Sequence, residues 1–254
     1  MIEIFVFIFG AVIGSFLNVC IYRMPKGRSV VVPESHCPSC GVKINWFDNV
    51  PILSYLALLG RARCCKARIS FRYFIVEVLT AAAFLAIFIA FGASAKSFVC
   101  MLFVSGLIVA TFVDFEIQEI PDEVSIWLLA AGLVLSAAFP SILGEATRHG
   151  AIMNSFFGAL AGALMIYGMG MLGELAFKKE SMGGDDVKLL AMIGAFLGWK
   201  LTVLTFFIAP LFGSVVGIAM KIREGKDIIP YGPYLSMAAV FSMFYGDKLL
   251  GLLF

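Results

Sequence analysis

Apolar residues run along this chain in long blocks, separated by short polar turns and by a single polar stretch near the start. A bilayer core needs about 20 apolar residues per helical span. On that measure eight runs are candidates: residues 2–22, 73–92, 97–113, 123–140, 151–177, 187–199, 201–220 and 231–252. The sixth is short, which implies little tilt, a locally thinned bilayer, or a start inside a cavity. The first lacks a basic leading region and a small-x-small cleavage site, so it reads as a retained helix rather than a secretory signal. The pattern predicts an all-α polytopic membrane protein: about eight transmembrane helices with a small cysteine-containing cytoplasmic loop module. Its parts are a first transmembrane helix (1–22), a basic loop module (23–72) and a helix bundle (73–254).

Composition strengthens this reading. The 254 residues are 61% hydrophobic and 14% charged, with a mean hydropathy of +0.98. A water-soluble globule of this size could not hide so much apolar surface, so part of the solvent is lipid. A net charge of +2 excludes bulk electrostatic capture of nucleic acid. The charge is unevenly spread, because residues 23–72 hold nine basic against two acidic residues while the rest of the chain carries a negative surplus. Further basic residues fall in the turns at Lys178, Lys179 and Lys188 and at Lys221, Arg223 and Lys226. The opposite side has only Lys96, Arg148, Lys200 and Lys248. The positive-inside rule then places the basic loops in the cytoplasm and both termini on the far side. Glycine pairs four residues apart, Gly10 and Gly14, Gly158 and Gly162, Gly194 and Gly198, Gly213 and Gly217, read as sites of close helix approach in lipid.

Four of the six cysteines lie in the basic loop. His36-Cys37-Pro38-Ser39-Cys40-Gly41 is a C-x-x-C knuckle, and Cys64-Cys65 follows among basic residues. In a reducing compartment thiols favour metal over disulfide, and a loop this small needs a staple to fold. The loop therefore reads as a structural Zn²⁺ site with Cys37, Cys40 and Cys65 as ligands and Cys64 or His36 as the fourth. The alternative is a metal-free thiol loop. Adjacent side chains diverge, which weighs against Cys64 and Cys65 both taking tetrahedral positions.

Acids in or beside apolar spans are costly and call for a reason. Asp114 closes the third span; Asp185 and Asp186 open the sixth, after Gly183 and Gly184. The topology puts both clusters on the cytoplasmic side, where they can meet. Two facing carboxylates can activate water, one accepting its proton while a protonated partner polarises a scissile carbonyl. Gly183 and Gly184 would let an extended substrate backbone approach, and Asp186 would lie near a helix N-terminus. Two other readings stay open: helix-capping acids in a solvated boundary, and an ion or proton pathway.

In order, the motifs are similar to those of type IV prepilin peptidases, membrane aspartic proteases of the GxGD type. They comprise Gly14-Ser15-Phe16-Leu17-Asn18-Val19-Cys20-Ile21-Tyr22-Arg23-Met24-Pro25, the cysteine loop, Arg68 to Glu77, Asp114 with Pro121-Asp122, Gly183 to Leu190, and Pro230-Tyr231-Gly232-Pro233-Tyr234. The resemblance implies Asp114 and Asp186 as the catalytic pair. Gly183, Gly184, Asp185 and Lys188 would lie along the substrate approach. It further implies cleavage of the short basic leader of prepilins or pseudopilins, whose precursor helices lie in the bilayer of the bacterial inner membrane. N-methylation of the new terminus by S-adenosylmethionine would follow. Glu116, Glu119, Asp122 and Glu123 are candidates to hold leader cations, or form a solvated turn.

Three positions depart from the family pattern. Asp185 stands where the second Gly of Gly-x-Gly-Asp belongs; its side chain could crowd the substrate, or its negative charge could raise the apparent pKa of the pair. Ala62 stands where Cys is usual, with Cys64 two residues later. Phe74 replaces a Pro. Methyl transfer has no sequence signature here, since no G-x-G-x-x-G follows a strand. Glu77, an acid inside the second span, is a candidate for the cofactor or amine site, or else forms an ion pair with Arg72 or Arg23. Asn18 is either a polar helix contact or a ligand. A transporter or proton channel is the rival class, but it expects partnered acids in mid-span, whereas these lie at span ends apart from Glu77 and Glu174. A zinc-stapled scaffold with replaceable Asp114 and Asp186 is the third reading.

Overall fold

The computed structural model describes residues 1–32, 34–177, 183–224 and 230–253, except for the side chains of 177, 216–224 and 253. Lys178, Lys179 and Lys226, and the side chains of Lys221 and Arg223, lie outside that set. The helices are α1 (Ile2–Arg23), α2 (Leu53–Ala57), α3 (Phe71–Phe91), α4 (Ala95–Ile117), α5 (Asp122–Ala138), α6 (Arg148–Phe177), α7 (Gly184–Glu224) and α8 (Gly232–Leu253). Among the described residues the extended pairings are two isolated bridges, His36 with Lys43 and Arg61 with Arg68.

Local chemistry sets the helix ends. The Ser70 hydroxyl accepts the Arg72 N–H at 3.3 Å and caps α3, which therefore begins ahead of the apolar run at 73. α4 continues past Asp114 to Ile117 and stops where Gln118 turns left-handed at φ 57°. Pro121 precedes α5, whose first turn holds Asp122 and Glu123 at the positive end of the helix dipole. α7 is broken at Gly198 (φ 76°, ψ 170°), so the runs at 187–199 and 201–220 are two helical segments in one element. The Asn154 side chain accepts the Trp199 N–H at 3.1 Å just past the break, and a Cβ on Gly198 would press into that amide.

Five described helices are long and apolar enough to cross a membrane: Ile2–Lys26, Phe71–Phe91, Ala95–Ile117, Arg148–Ala176 and Gly184–Val215. The chain is a multipass helical membrane protein. Its contacts divide it into two compact units, Met1–Val109 and Ala110–Phe254, and the division falls within α4.

In the first unit α1 packs on α3. A Cβ on Gly10 would come within 2.8 Å of the Ala81 Cα, and one on Gly14 within 2.8 Å of the Glu77 Cα. Asn18 donates to the Tyr73 carbonyl at 3.0 Å, a polar contact across the same seam. The opposite face of α1 exposes Phe5, Ile8, Phe9, Val12 and Phe16, a surface suited to lipid.

In the second unit α6 and α7 make the closest seam. Gly158 and Gly194 face each other so tightly that a Cβ on either would overlap the other's backbone, and Gly162 meets the Leu190 carbonyl in the same way. Ser155 donates to the Ala195 carbonyl at 2.7 Å. Gly132 of α5 meets Ala195 and Phe196, while Gly213 of α7 faces the Tyr234 ring of α8. Leu189, Leu190, Met192 and Ile193 are fully buried, so the first turns of α7 are anchored immediately after its acids.

Candidate catalytic acids and a cysteine cluster

Asp114 lies in the last turn of α4 and is 5% exposed. Its Oδ2 accepts the Gly232 N–H, the first amide of α8, at 2.9 Å. A Cβ on Gly232 would come within 2.7 Å of that oxygen, so only glycine lets the start of α8 close on the acid. The chain then reverses. The Gln118 N–H donates to the Asp114 carbonyl at 3.0 Å, Ile120 is buried, and α5 starts at Asp122.

The first turn of α7 brings the other acids to the same place. Asp186 lies within electrostatic reach of Asp114 and Asp185, and the Gly183 amide donates to it. The Tyr231 hydroxyl also feels the Asp186 charge. Gly183 and Gly184 are exposed, and a Cβ on Gly184 would meet nothing within 4 Å, so the approach to Asp186 is open on that side. Asp185 Oδ2 accepts the Ile120 N–H at 3.2 Å, and its Oδ1 pairs with Lys188 Nζ at 3.1 Å. Lys188 reaches on to Asp122 Oδ1 at 2.5 Å.

Asp114, Asp185, Asp186 and Lys188 therefore meet, with Gly183 and Gly184 beside them. Sequence reasoning missed three participants: the Gly232 amide, the Ile120 amide and the Lys188 bridge to Asp122. Backbone donors leave no mark in a sequence. Gly232 could have been found only from its place in the Pro-Tyr-Gly-Pro-Tyr motif. Asp122, expected among acids free to hold leader cations, is engaged by Lys188.

Glu77 belongs to the first unit. It is 8% exposed, and its Oε2 accepts the Ile52 N–H at 2.7 Å, with the Ser15 hydroxyl as a second donor. Arg23, one of the two ion-pair partners considered for Glu77, donates to the carbonyls of Ser29 (3.1 Å) and Glu34 (3.5 Å). Ile52 has φ 65° and ψ −54°, and the Leu53 N–H reaches the Pro51 carbonyl at 2.6 Å. That is a γ-turn of the strained, positive-φ kind, at a β-branched residue.

The four loop cysteines converge. Their sulfurs lie within 4.8 Å of one another, with Cys37–Cys65 at 3.7 Å and Cys40–Cys64 at 3.3 Å. Thiolates held tetrahedrally about 2.3 Å from a zinc ion are about 3.8 Å apart, so this cluster fits Zn²⁺. The His36 ring nitrogen Nδ1 instead contacts the Glu34 carbonyl. Two matched knuckles explain the set. Gly41 donates to Cys37 and Cys37 to Val42; correspondingly Lys66 donates to Ala62 and Ala62 to Ala67. Each knuckle is flanked by a bridge, His36 with Lys43 and Arg61 with Arg68. Ala62 thus occupies the place of Cys37 and Cys65 that of Cys40, while Cys64 supplies its thiol from the position matching Ser39. The adjacent thiols were expected to diverge, yet within this turn both face the cluster. Burial works against the Cys37 thiolate, but the amides of Ser39 and Cys40, with the thiols of Cys40 and Cys64, outweigh it and lower its pKa from 9.0 to about 6.

The chain is thus a multipass helical protein whose acids gather at helix ends. Residues 8–91 match the bacterial peptidase A24 N-terminal domain, and residues 101–218 match the type IV leader peptidase family. A prepilin leader peptidase/N-methyltransferase from Myxococcus xanthus is 37% identical over 226 residues, covering 89% of this chain and 65% of that protein. Proteins of the same description from Pseudomonas aeruginosa (33% over 268 residues) and Aeromonas hydrophila (33% over 271 residues) cover 94% and 96% of this chain. The shares of those relatives covered are 89% and 91%. No solved structure matches the chain. The chain belongs to the type IV leader peptidase family.

Proposed function

We propose that this protein removes the basic leader from type IV prepilins or pseudopilins by means of Asp114 and Asp186, then N-methylates the exposed terminal residue. The observation that carries the peptidase reading is the convergence of two acids, 72 positions apart in sequence, on the shared ends of α4, α7 and α8. In the cleavage step the ionised member of the pair takes a proton from water while its protonated partner donates a hydrogen bond to the scissile carbonyl. The hydroxide oxygen bonds to carbon, the C–N bond breaks, and the leaving amine takes up the proton. Carboxylates that approach within hydrogen-bonding reach of one substrate carbonyl titrate as a unit, which would keep one proton between them. The open side at Gly183 and Gly184 admits an extended substrate backbone. By the positive-inside argument the acids act at the cytoplasmic face of the inner membrane, with both termini periplasmic.

S-adenosylmethionine is the methyl donor implied by the family. Glu77, the candidate for its site, already accepts two donors and is almost wholly buried, which does not fit a cofactor contact. No catalytic step is therefore assigned to Glu77. Zinc would be held by Cys37, Cys40, Cys64 and Cys65, where it would staple the loop.

The test is to incubate the purified protein in detergent with a prepilin and isotope-labelled S-adenosylmethionine, and to weigh the product. The expected product has lost its leader and gained one labelled methyl group. An intact prepilin under conditions where a known family member cleaves it would refute the reading.

A further inference from the structure

Asp185 stands where the family motif has glycine, and the structure gives both of its oxygens an occupation. Its Oδ2 holds the Ile120 N–H at 3.2 Å, and its Oδ1 holds Lys188 Nζ at 3.1 Å. Lys188 also grips Asp122 in the first turn of α5 at 2.5 Å. The first turn of α7 is therefore tied at two points to the segment 118–122, which follows directly from Asp114. That segment is coupled to Asp114 by the Gln118 N–H on the Asp114 carbonyl at 3.0 Å, and it passes through a left-handed residue at Gln118. Such a conformation costs free energy for a side chain larger than glycine and persists only where neighbours hold it. Ile120 is 3% exposed, so without Asp185 its amide would be a buried donor with no acceptor.

From this we infer that Asp185 is a positioning residue: with Lys188 and Asp122 it forms a latch that fixes the end of α4 against the start of α7 and so sets the spacing of Asp114 and Asp186. The inference rests on the peptidase reading above. It opposes the simpler view that a third carboxylate merely crowds the site, because each of its oxygens already holds a partner on this chain. Lys188 and the Ile120 amide offset the charge that Asp185 adds beside the pair.

The sequence alone favours an Asp185→Gly variant as active as the wild type or faster. The latch predicts the reverse: kcat for leader cleavage down about tenfold with KM within about twofold, the signature of lost alignment rather than lost binding. Asp185→Asn, which keeps an acceptor for the Ile120 amide, should recover part of that loss. Lys188→Met should lower kcat severalfold alone and add little in the Asp185→Gly background, since both remove one device. Unchanged or increased kcat in Asp185→Gly, or a loss confined to KM, would overturn the latch. If thermal unfolding in detergent shows that Asp185→Gly does not fold, Lys188→Met decides: unchanged kcat rejects the latch and a severalfold fall supports it. Wild-type protein that leaves prepilin uncut would refute the peptidase reading instead.

Discussion

Glu77 and Asp114 begin as the same device. Each is an acid buried in a helix, and each catches a backbone amide from a distant segment: Ile52 at 2.7 Å for Glu77, Gly232 at 2.9 Å for Asp114. Each also depends on a glycine, since a Cβ on Gly14 would press on the Glu77 Cα and one on Gly232 on the Asp114 carboxylate. They differ in electrostatic company. Glu77 has two donors about it, whereas Asp114 stands in the field of further carboxylates. A lone buried acid can fasten a segment. Only an acid that shares its charge with another can divide acid and base roles within one peptide hydrolysis.

The largest effect that would break this comparison is at the pair itself. Asp114→Asn and Asp186→Asn should each lower the rate of leader cleavage by about 10²–10⁴-fold, the usual worth of a positioned acid or base. Circular dichroism should show the helices intact. A clean variant of either that still cuts at the wild-type rate would reduce Asp114 to another Glu77.

Next come the two glycines. Gly232→Ala should cut cleavage by about 10–100-fold at nearly unchanged helix content, because it displaces the start of α8 from Asp114 by a fraction of an ångström and catalysis is sensitive to such shifts. Gly14→Ala should leave the chemical step alone and destabilise the protein by about 1–3 kcal/mol, the cost of overpacking a close seam. The readouts are single-turnover cleavage and the thermal midpoint in detergent. If both variants lost only stability, the glycine near Asp114 would be a packing residue like its counterpart.

The metal comes third. Purified protein should hold about one zinc ion, and Cys37→Ser or Cys40→Ser should release most of it. Cys64→Ser is the informative variant: the matched knuckles make Cys64 a ligand despite its shifted position. Full metal content in Cys64→Ser would transfer the fourth place to another group.

Much of this architecture was readable from apolar run lengths, because lipid imposes a minimum span. Run edges were less informative where local bonds decide: Ser70 starts α3 early, and α4 continues beyond Asp114 although the apolar run stops there. The break at Gly198 reads from sequence as two separate spans because its cause is a backbone angle and an amide of Asn154. The candidate acids stood out in the sequence because carboxylates beside apolar spans are costly and each needs a reason, and their pairing as catalysts came from the resemblance. The groups that hold them did not, because the Gly232 and Ile120 amides exist at nearly every residue and become specific only in three dimensions. The fourth place stayed open between Cys64 and His36 for a related reason: the divergence of adjacent side chains is a rule for regular backbone, and a tight knuckle is not regular.

The smallest expected effect is at Glu77, and it decides what that residue is for. Glutamine at this position keeps an oxygen for the Ile52 amide and nearly the same volume, so Glu77→Gln should shift stability by no more than about 1 kcal/mol, the net worth of one hydrogen bond. Zinc content and leader cleavage should stay at wild-type levels. Glu77→Ala removes the acceptor of the half-buried Ile52 amide and frees a strained turn to relax, so it should cost more and loosen the loop. Methylation separates the two roles. If Glu77 only fastens the loop, Glu77→Gln methylates normally and Glu77→Ala loses methylation together with order in residues 46–60. If Glu77→Gln abolishes methylation while cleavage, zinc and stability are untouched, the negative charge itself is required. Glu77 would then contact the amine or its methyl donor, and the contrast with Asp114 would lie in which of two reactions each acid serves.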